Sequence, residues 1–334
     1  MSEKKPLTNT EQSILKQLEL DSRMPFSKMG KKIRMSQQRI SYTIDSLSKK
    51  EIINGFYTLI DYSKLDVINF RVYFRVSYTT QEKFKELINY LKEDSSTSWI
   101  ATCEGKYDLI CTFLAYNPSS FNKTIKKIMR KFPKQLENYV VLTTIVSRNF
   151  GRKFLSQTTN IPDDLIIGGD RKPEELDNID LKILNFLSKN ARISAVEIGN
   201  NLKLTPKTII KRIKKLKDKK IIVGFKPALN VRETNYMAFL LAIKSHNVVP
   251  EVEDKLINYL RLHPNVVNVT KTLGEWDLEM QIEVKSWYIY RKIVIEIREK
   301  FKSLIQEIES IPLYKTYHKM NYFPGFLLNN IKEK

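Results

Sequence analysis

Between Thr205 and Lys215 the chain sets Lys207, Thr208, Lys211, Arg212, Lys214 and Lys215 around three regularly spaced apolar residues, Ile209, Ile213 and Leu216. Ammonium, guanidinium and hydroxyl groups at that density can donate hydrogen bonds to phosphate oxygens and to base edges. Bond-making chemistry has no comparable set. The histidines, His246, His263 and His318, fall on separate expected elements, and a lone histidine is more often structural or solvent-facing than catalytic. Cys103 and Cys111 have neither metal-ligand spacing nor a disulfide framework. No Walker-type loop, zinc-protease helix or nucleophile elbow occurs. The sequence therefore offers no catalytic residue, metal ligand set or cofactor motif, and it reads as a binding protein rather than an enzyme.

The neighbouring residues say how those donors are held. Asn178 or Asp180 can cap a helix whose stripe is Ile183, Leu184 and Leu187, with Asn190 ending it. Ser194, with Glu197 three residues on, starts a second helix that packs through Val196, Ile198 and Leu202. Thr205 caps a third, and Pro206 follows at the first helical position, where its missing N–H costs nothing. That helix runs to about Lys219, and the β-branched stretch Ile221 to Lys226 reads as a wing. A Lys-rich helix alone is most often a solvated surface. Here the cap, turn and wing around it give the pattern of a helix-turn-helix reader of double-stranded DNA, with Thr205, Lys207, Thr208, Lys211, Arg212, Lys214 and Lys215 as contacts.

The pattern is written twice. Shifted by 169 positions, Ile14-Leu15 falls on Ile183-Leu184, Gly30 on Gly199, Ile40 on Ile209, Ile44 on Ile213, Gly55-Phe56 on Gly224-Phe225, and Asp108-Leu109 on Asp277-Leu278. The period is too long for a solenoid and implies a duplicated two-domain unit. The first copy keeps the scaffold and changes the face: Ser36 takes the cap, and Gln37, Gln38, Arg39 and Tyr42 take the contact positions, while Asp45 would repel phosphate. Two readers with different half-sites are expected, the second anchoring more strongly. After each reader comes the order β-α-β-β-α-β. In the second copy Tyr236–Ile243 is a strand, Glu251–Leu262 a helix, Val266–Thr272 a strand, Leu278–Val284 an alternating strand, 286–301 a helix and Tyr314–Tyr322 a last strand. This is the ferredoxin-like split motif. The expected division is a reader over 1–65, a sensor over 66–157, a linker over 158–175 punctuated by Pro162, Gly168, Gly169 and Pro173, a reader over 176–230 and a sensor over 231–328.

Charge agrees with this division. The net charge is +20, and residues 1–65 carry 12 basic and 7 acidic groups, residues 176–230 carry 13 and 4, and residues 231–334 only 15 and 13. Most of the surplus sits in the readers, which suggests a polyanionic partner. Hydrophobic residues make up 42% of the 334 and charged residues 28%, the balance of an ordinary globular chain. No apolar run approaches the roughly 18–20 residues of a membrane span, no secretory stretch opens the chain, and two cysteines fit a reducing cytoplasm.

The runs LDNIDLKILNFLSKNARIS and TPKTIIKRIKKLKDKKIIVGF, with GKYD and GEWD between the middle strands, make the halves resemble the Lrp/AsnC family of regulators, most of all its archaeal form. The resemblance covers nearly the whole chain, twice. It implies an α+β fold with two winged helix-turn-helix domains and two ferredoxin-like sensor domains of the RAM type in tandem. It also implies a transcription regulator, dimerisation through the sensor domains, and an amino-acid effector. Gly105, Asp108, Gly274 and Asp277 fall at the family's effector positions, although a glycine followed by an aspartate also suits a plain hairpin turn. Most members carry one unit, so a dimer of this chain would match a tetramer of theirs. Siroheme decarboxylases share the architecture and keep an enzyme as the alternative; an architectural DNA-binding protein is another.

Overall fold

The computed structural model describes residues 6–77, 80–155, 164–246, 249–317 and 323–329. His318 and residues 158–163 of the expected linker lie outside them. The first series of elements is α1 (Asn9–Leu20), α2 (Phe26–Ile33), α3 (Gln37–Lys49), β1 (Ile53–Ile60), β2 (Ile68–Val76), α4 (Gln81–Glu93), β3 (Thr97–Cys103), β4 (Leu109–Ala115), α5 (Pro118–Lys131) and β5 (Leu136–Asn149). After β6 (Leu165–Gly168) the order recurs as α6 (Asn178–Lys189), α7 (Ala195–Leu202), α8 (Pro206–Asp218), β7 (Ile222–Leu229), β8 (Met237–Ser245), α9 (Pro250–Leu262), β9 (Val266–Leu273), β10 (Leu278–Val284), α10 (Trp287–Lys300) and β11 (Ile305–Tyr317). The fold is mixed α+β. Each helix of the first series, moved along by the distance from Asn9 to Asn178, meets the bounds of its counterpart.

The residues gather in two compact units, each drawn from separated stretches. One holds Met1–Gly55, Ile145–Ile166 and Pro227–Tyr314; the other holds Phe56–Thr144, Ile167–Lys226 and Lys315–Lys334. The first three helices therefore share a unit with the second β-α-β-β-α-β series, and α6–α8 share one with the first.

In the first unit β8 pairs with β10 and β11, and β10 pairs with β9, all antiparallel, giving the order β11-β8-β10-β9. Leu278, Met280, Ile282 and Val284 alternate along β10 and pack with Leu256 and Leu260 of α9 and Ile293 and Ile297 of α10. Strand period 2 and helix period 3.6 thus meet in one apolar layer. The opposite face of β10 is covered as well, since Glu279 and Glu283 are 0% exposed. The Arg152 guanidinium accounts for Glu283: its Nε and Nη2 donate to the two carboxylate oxygens at 2.8 and 3.0 Å, while Nη1 donates to Glu19 of α1 at 2.6 Å. Nearby, Phe150 enters the core and its N–H donates to the Val267 carbonyl at 2.8 Å. A short segment after β5 thus joins α1 to the sheet.

In the second unit the order is β5-β2-β4-β3, with Val72 opposite both Cys111 and Val141. Leu87, Leu91, Ile125 and Ile128 of α4 and α5 cover it, and Phe70 stacks on Phe121 with ring centroids 4.2 Å apart. Ile167 of β6 is buried, and the Gly168 N–H donates to Asp61 Oδ1 at 2.9 Å while Arg171 pairs with Asp61 Oδ2 at 3.3 Å.

Four expectations are corrected. Asp177, not Asn178 or Asp180, caps α6 by accepting from the Asp180 N–H. The expected linker contains β6, held by the buried Asp61. The last strand begins at Ile305, not Tyr314, because Pro312 sits opposite Phe239 without ending the ladder. The stretch expected as a wing has no hairpin partner of its own among the described residues. β7 pairs with β1 in a two-stranded sheet, with Asp61 N–H donating to Ile221 O and Asn230 N–H to Ile52 O, each at 2.9 Å. No helix among the described residues is long and apolar enough to cross a membrane.

Burial pushes the Glu283 carboxyl above its ordinary range, against the pull of Arg152. Removing one partner of a buried pair leaves the other charge uncompensated, at a cost of about 3–5 kcal/mol. Arg152→Met is expected to lower unfolding stability by that order in urea titrations; a loss below about 1 kcal/mol, the scale of an exposed ion pair, would contradict this role.

Candidate nucleic-acid interface

The third helix of each reader is set by a tight turn and an apolar stripe. α7 ends on Lys203, which lies in the left-handed region at φ 54°, and the Leu204 N–H returns to the Gly199 carbonyl at 2.9 Å. A Cβ on Gly199 would lie 2.6 Å from the Leu204 carbonyl oxygen, a distance that real Cβ atoms essentially never show, so the turn closes only over glycine. The first reader repeats this at Gly30, where a Cβ would meet the Met35 carbonyl at 2.3 Å after Arg34 at φ 54°. Thr205 then caps α8 by accepting from the Thr208 N–H at 3.2 Å. Ile209, Ile213 and Leu216 are buried beneath α8. Full burial of such side chains is worth roughly 1.5–3 kcal/mol each, against about 1 kcal/mol for a cap, so the stripe dominates docking of the helix.

What remains outside is a cationic face. Lys207, Lys211, Lys214, Lys215 and Lys217 are exposed on α8. Ile210, missed in the sequence as a surface residue, stands among them at 59% exposed. Its position three residues after Lys207 and four before Lys214 was the available signal. An apolar side chain between donors suits contact with a thymine methyl.

Arg212 is engaged within the unit, unlike the lysines around it. Its Nη1 donates to Asp177 Oδ2 at 2.7 Å and to Asp180 Oδ1 at 2.8 Å, so it ties α8 to the start of α6. Its hydrogen bonds to the Asp177 and Asp180 carboxylates hold its pKa up. Just past α8, Lys219 donates to Glu174 at 2.7 Å, and Lys64 reaches the other oxygen of the same carboxylate at 3.3 Å. Those two hydrogen bonds keep the Glu174 carboxyl below its usual range.

On α3 the Ser36 hydroxyl accepts from the Arg39 N–H at 3.2 Å. Gln37, Gln38, Arg39 and Asp45 are exposed, and Tyr42 is 76% exposed. This face is polar and aromatic where that of α8 is cationic. The two belong to different compact units.

The four expected effector residues lie one pair to each unit, in the β3–β4 and β9–β10 hairpins. Gly105 and Gly274 have φ 111° and 148°, a conformation that favours glycine. Asp108 Oδ2 accepts from the Val76 N–H at 2.8 Å, and Asp277 Oδ2 accepts from the Ser245 N–H at 2.8 Å. Asp277 Oδ1 accepts from Lys244 Nζ at 2.9 Å. Both aspartates thus brace a hairpin against the end of the first sensor strand. Tyr107 and Trp276 beside them are buried. Of the histidines, His263 follows α9, its Nδ1 accepts from the Asn265 N–H, and burial lowers its pKa. Among the described residues no group of three or more His, Cys, Asp or Glu could hold a metal ion.

A capped, glycine-turned third helix with its donors outward defines a helix-turn-helix protein. The profile of the AsnC-type helix-turn-helix domain matches residues 176–217, which span α6, α7 and most of α8. The HTH-type transcriptional regulator Ptr1 of Methanocaldococcus jannaschii is 36% identical over 102 residues, 30% of this chain and 68% of that one. The HTH-type transcriptional regulator FL11 of Pyrococcus furiosus is 33% identical over 113 residues, 33% of this chain and 72% of that one. This chain belongs to the Lrp/AsnC family of helix-turn-helix regulators. Its fold over nearly the full length is like that of the siroheme decarboxylase NirDL, with TM-score 0.60 and 12% identity over 96% of this chain and 98% of that one. At that identity the likeness concerns the fold alone.

Lys211 and Arg212 are neighbours with opposite expected behaviour. Lys211→Ala should leave stability within about 0.5 kcal/mol and lower the salt slope of duplex binding by about 0.9. Arg212→Ala should cost about 1–2 kcal/mol of stability with little change in slope. Thermal melts and salt-titrated anisotropy check both; a slope change for Arg212→Ala equal to that of Lys211→Ala would return Arg212 to the contact face.

Proposed function

We propose that the chain is a sequence-specific DNA-binding transcription regulator that reads duplex DNA through α8, with α3 as a second reader of different preference. One observation carries the reading: α8 buries its apolar stripe while leaving five lysines and Ile210 exposed along a helix held by a cap and a glycine turn. Lysines there suit phosphate contacts, which position a protein on DNA, and Gln37, Gln38 and Arg39 suit base edges, which specify sequence.

In this reading the chain is a tandem of two reader-plus-sensor copies. The readers are residues 1–65 and 176–230, the sensors 66–157 and 231–328, and 158–175 joins them. It works in the cytoplasm, as a dimer of tandem chains, by binding rather than catalysis. The hairpins with Gly105, Asp108, Gly274 and Asp277 take a small amino-acid-like effector. Because Asp277 already holds Lys244 and a backbone N–H, an effector ammonium group would have to share or displace Lys244. Calorimetry against an amino-acid panel tests this; no heat with any member removes amino-acid sensing.

The full-length likeness to NirDL favours a second reading, decarboxylation of an iron tetrapyrrole by this chain. A variant with Lys207, Lys211 and Lys215 each changed to glutamate separates the two. The regulator reading expects a loss of at least about 100-fold in binding of selected duplexes at constant salt, with stability little changed because all three side chains are exposed. Unchanged duplex binding together with carbon dioxide release from siroheme would establish the enzyme instead.

A further inference from the structure

α5 lies on the sensor side of the second unit, and its sequence carries five cations and no carboxylate. Lys123, Lys126, Lys127, Arg130 and Lys131 follow the spacing i, i+3, i+4, i+7 and i+8, so they share one face. The opposite face packs into the core through Phe121, Ile125 and Ile128. All five cations are exposed, and among the described residues none has an ion-pair partner. With Tyr90 of α4 they line a groove of about 620 Å³. Lys131 stands 4.7 Å and Lys127 5.8 Å from the centre of the Tyr90 ring.

The counterpart helix shows that the scaffold does not require this charge. In α10 the Tyr259 hydroxyl donates to Glu296 at 2.6 Å, and Lys300 stands 4.4 Å from the Tyr259 ring centre. Lys127 takes the place of Glu296, Arg130 the place of Glu299, and Lys126 the place of Ile295, while the tyrosine and the last lysine are retained. The same packing thus carries a mixed face in one copy and an unbroken cationic face in the other.

From this we infer that the α5 face is a second, sequence-independent contact for the sugar–phosphate backbone of duplex DNA. The inference rests on the regulator reading and extends it from the readers to a sensor helix. From Lys123 to Lys131 the stripe is about 12 Å long at about 1.5 Å per residue. At about 3.4 Å of axis per phosphate along one strand, that length serves roughly three or four phosphates. Charges strung along a line suit a linear polyanion. A compact anion would need donors converging on one point, which this face does not provide.

The test uses the full chain and a 60-base-pair duplex of random sequence, with binding followed by anisotropy across a salt series. Lys126→Gln, Arg130→Gln and Lys131→Gln are combined in one variant. A control removes the same number of charges from α10, through Arg291→Gln, Lys292→Gln and Lys300→Gln. The α5 variant is expected to lower the slope of log K against log salt by roughly 2–3, with the control changing it by less than about 1. The same drop should appear in the background of the Lys207, Lys211 and Lys215 glutamate variant. Equal drops in variant and control would mean a net-charge effect only and would overturn the inference. So would an unchanged duplex slope accompanied by loss of inorganic triphosphate binding, which would assign the groove to a compact anion. A wild-type chain that binds neither this duplex nor any selected one would overturn the regulator reading itself, and the α5 contact with it.

Discussion

A carbonyl oxygen set against a helix that has no side chain at that point holds each reader's third helix. At Gly30 and Gly199 the turn backbone comes closer than any Cβ allows, and Arg34 and Lys203, four residues on, accept a left-handed conformation to bring the chain around. That conformation costs a non-glycine residue roughly 1–2 kcal/mol, which the buried stripes beneath α3 and α8 offset. Once the turn is closed, the direction of the third helix is fixed, and the stripe decides which of its faces is buried. The donors project outward because every other face is taken.

The cations of this chain then divide into two kinds. Arg152, Arg171, Arg212 and Lys219 are held by carboxylates and join segments far apart in sequence. The lysines of α8 and the cationic stripe of α5 are left outside. Arginine suits the first task, because its planar fork meets a carboxylate with two bonds at once, as Arg152 does with Glu283. Lysine suits the second, because a mobile point charge can follow a phosphate backbone at little cost in orientation.

Much of this was legible in the residues. Thr205-Pro206 marked the start of α8 and the Ile209/Ile213/Leu216 spacing its buried face, because caps and periodicity are local. The 169-residue register likewise foretold which elements would correspond. What was not legible depended on distance. Periodicity says that α1 has an apolar face, and not that Arg152 will bind it to β10. Arg212 looks like Lys211 in the sequence until Asp177 and Asp180 are brought beside it. The strand expected as a wing was recognised as a strand, but its partner, β1, lies far back in the chain. Residues 66–157 carry 15 basic and 8 acidic groups, but a segment sum does not say that five of those cations share one face of α5.

The account stands on the chain reading base sequence and not merely charge. Selection of binding sites from a random duplex library with the full chain at near-physiological salt tests this most directly. The account predicts that successive rounds converge on one recurring motif, bound at least roughly 1,000-fold more tightly than unselected duplex. A library that stays random while binding continues, governed only by duplex length and salt, would contradict it.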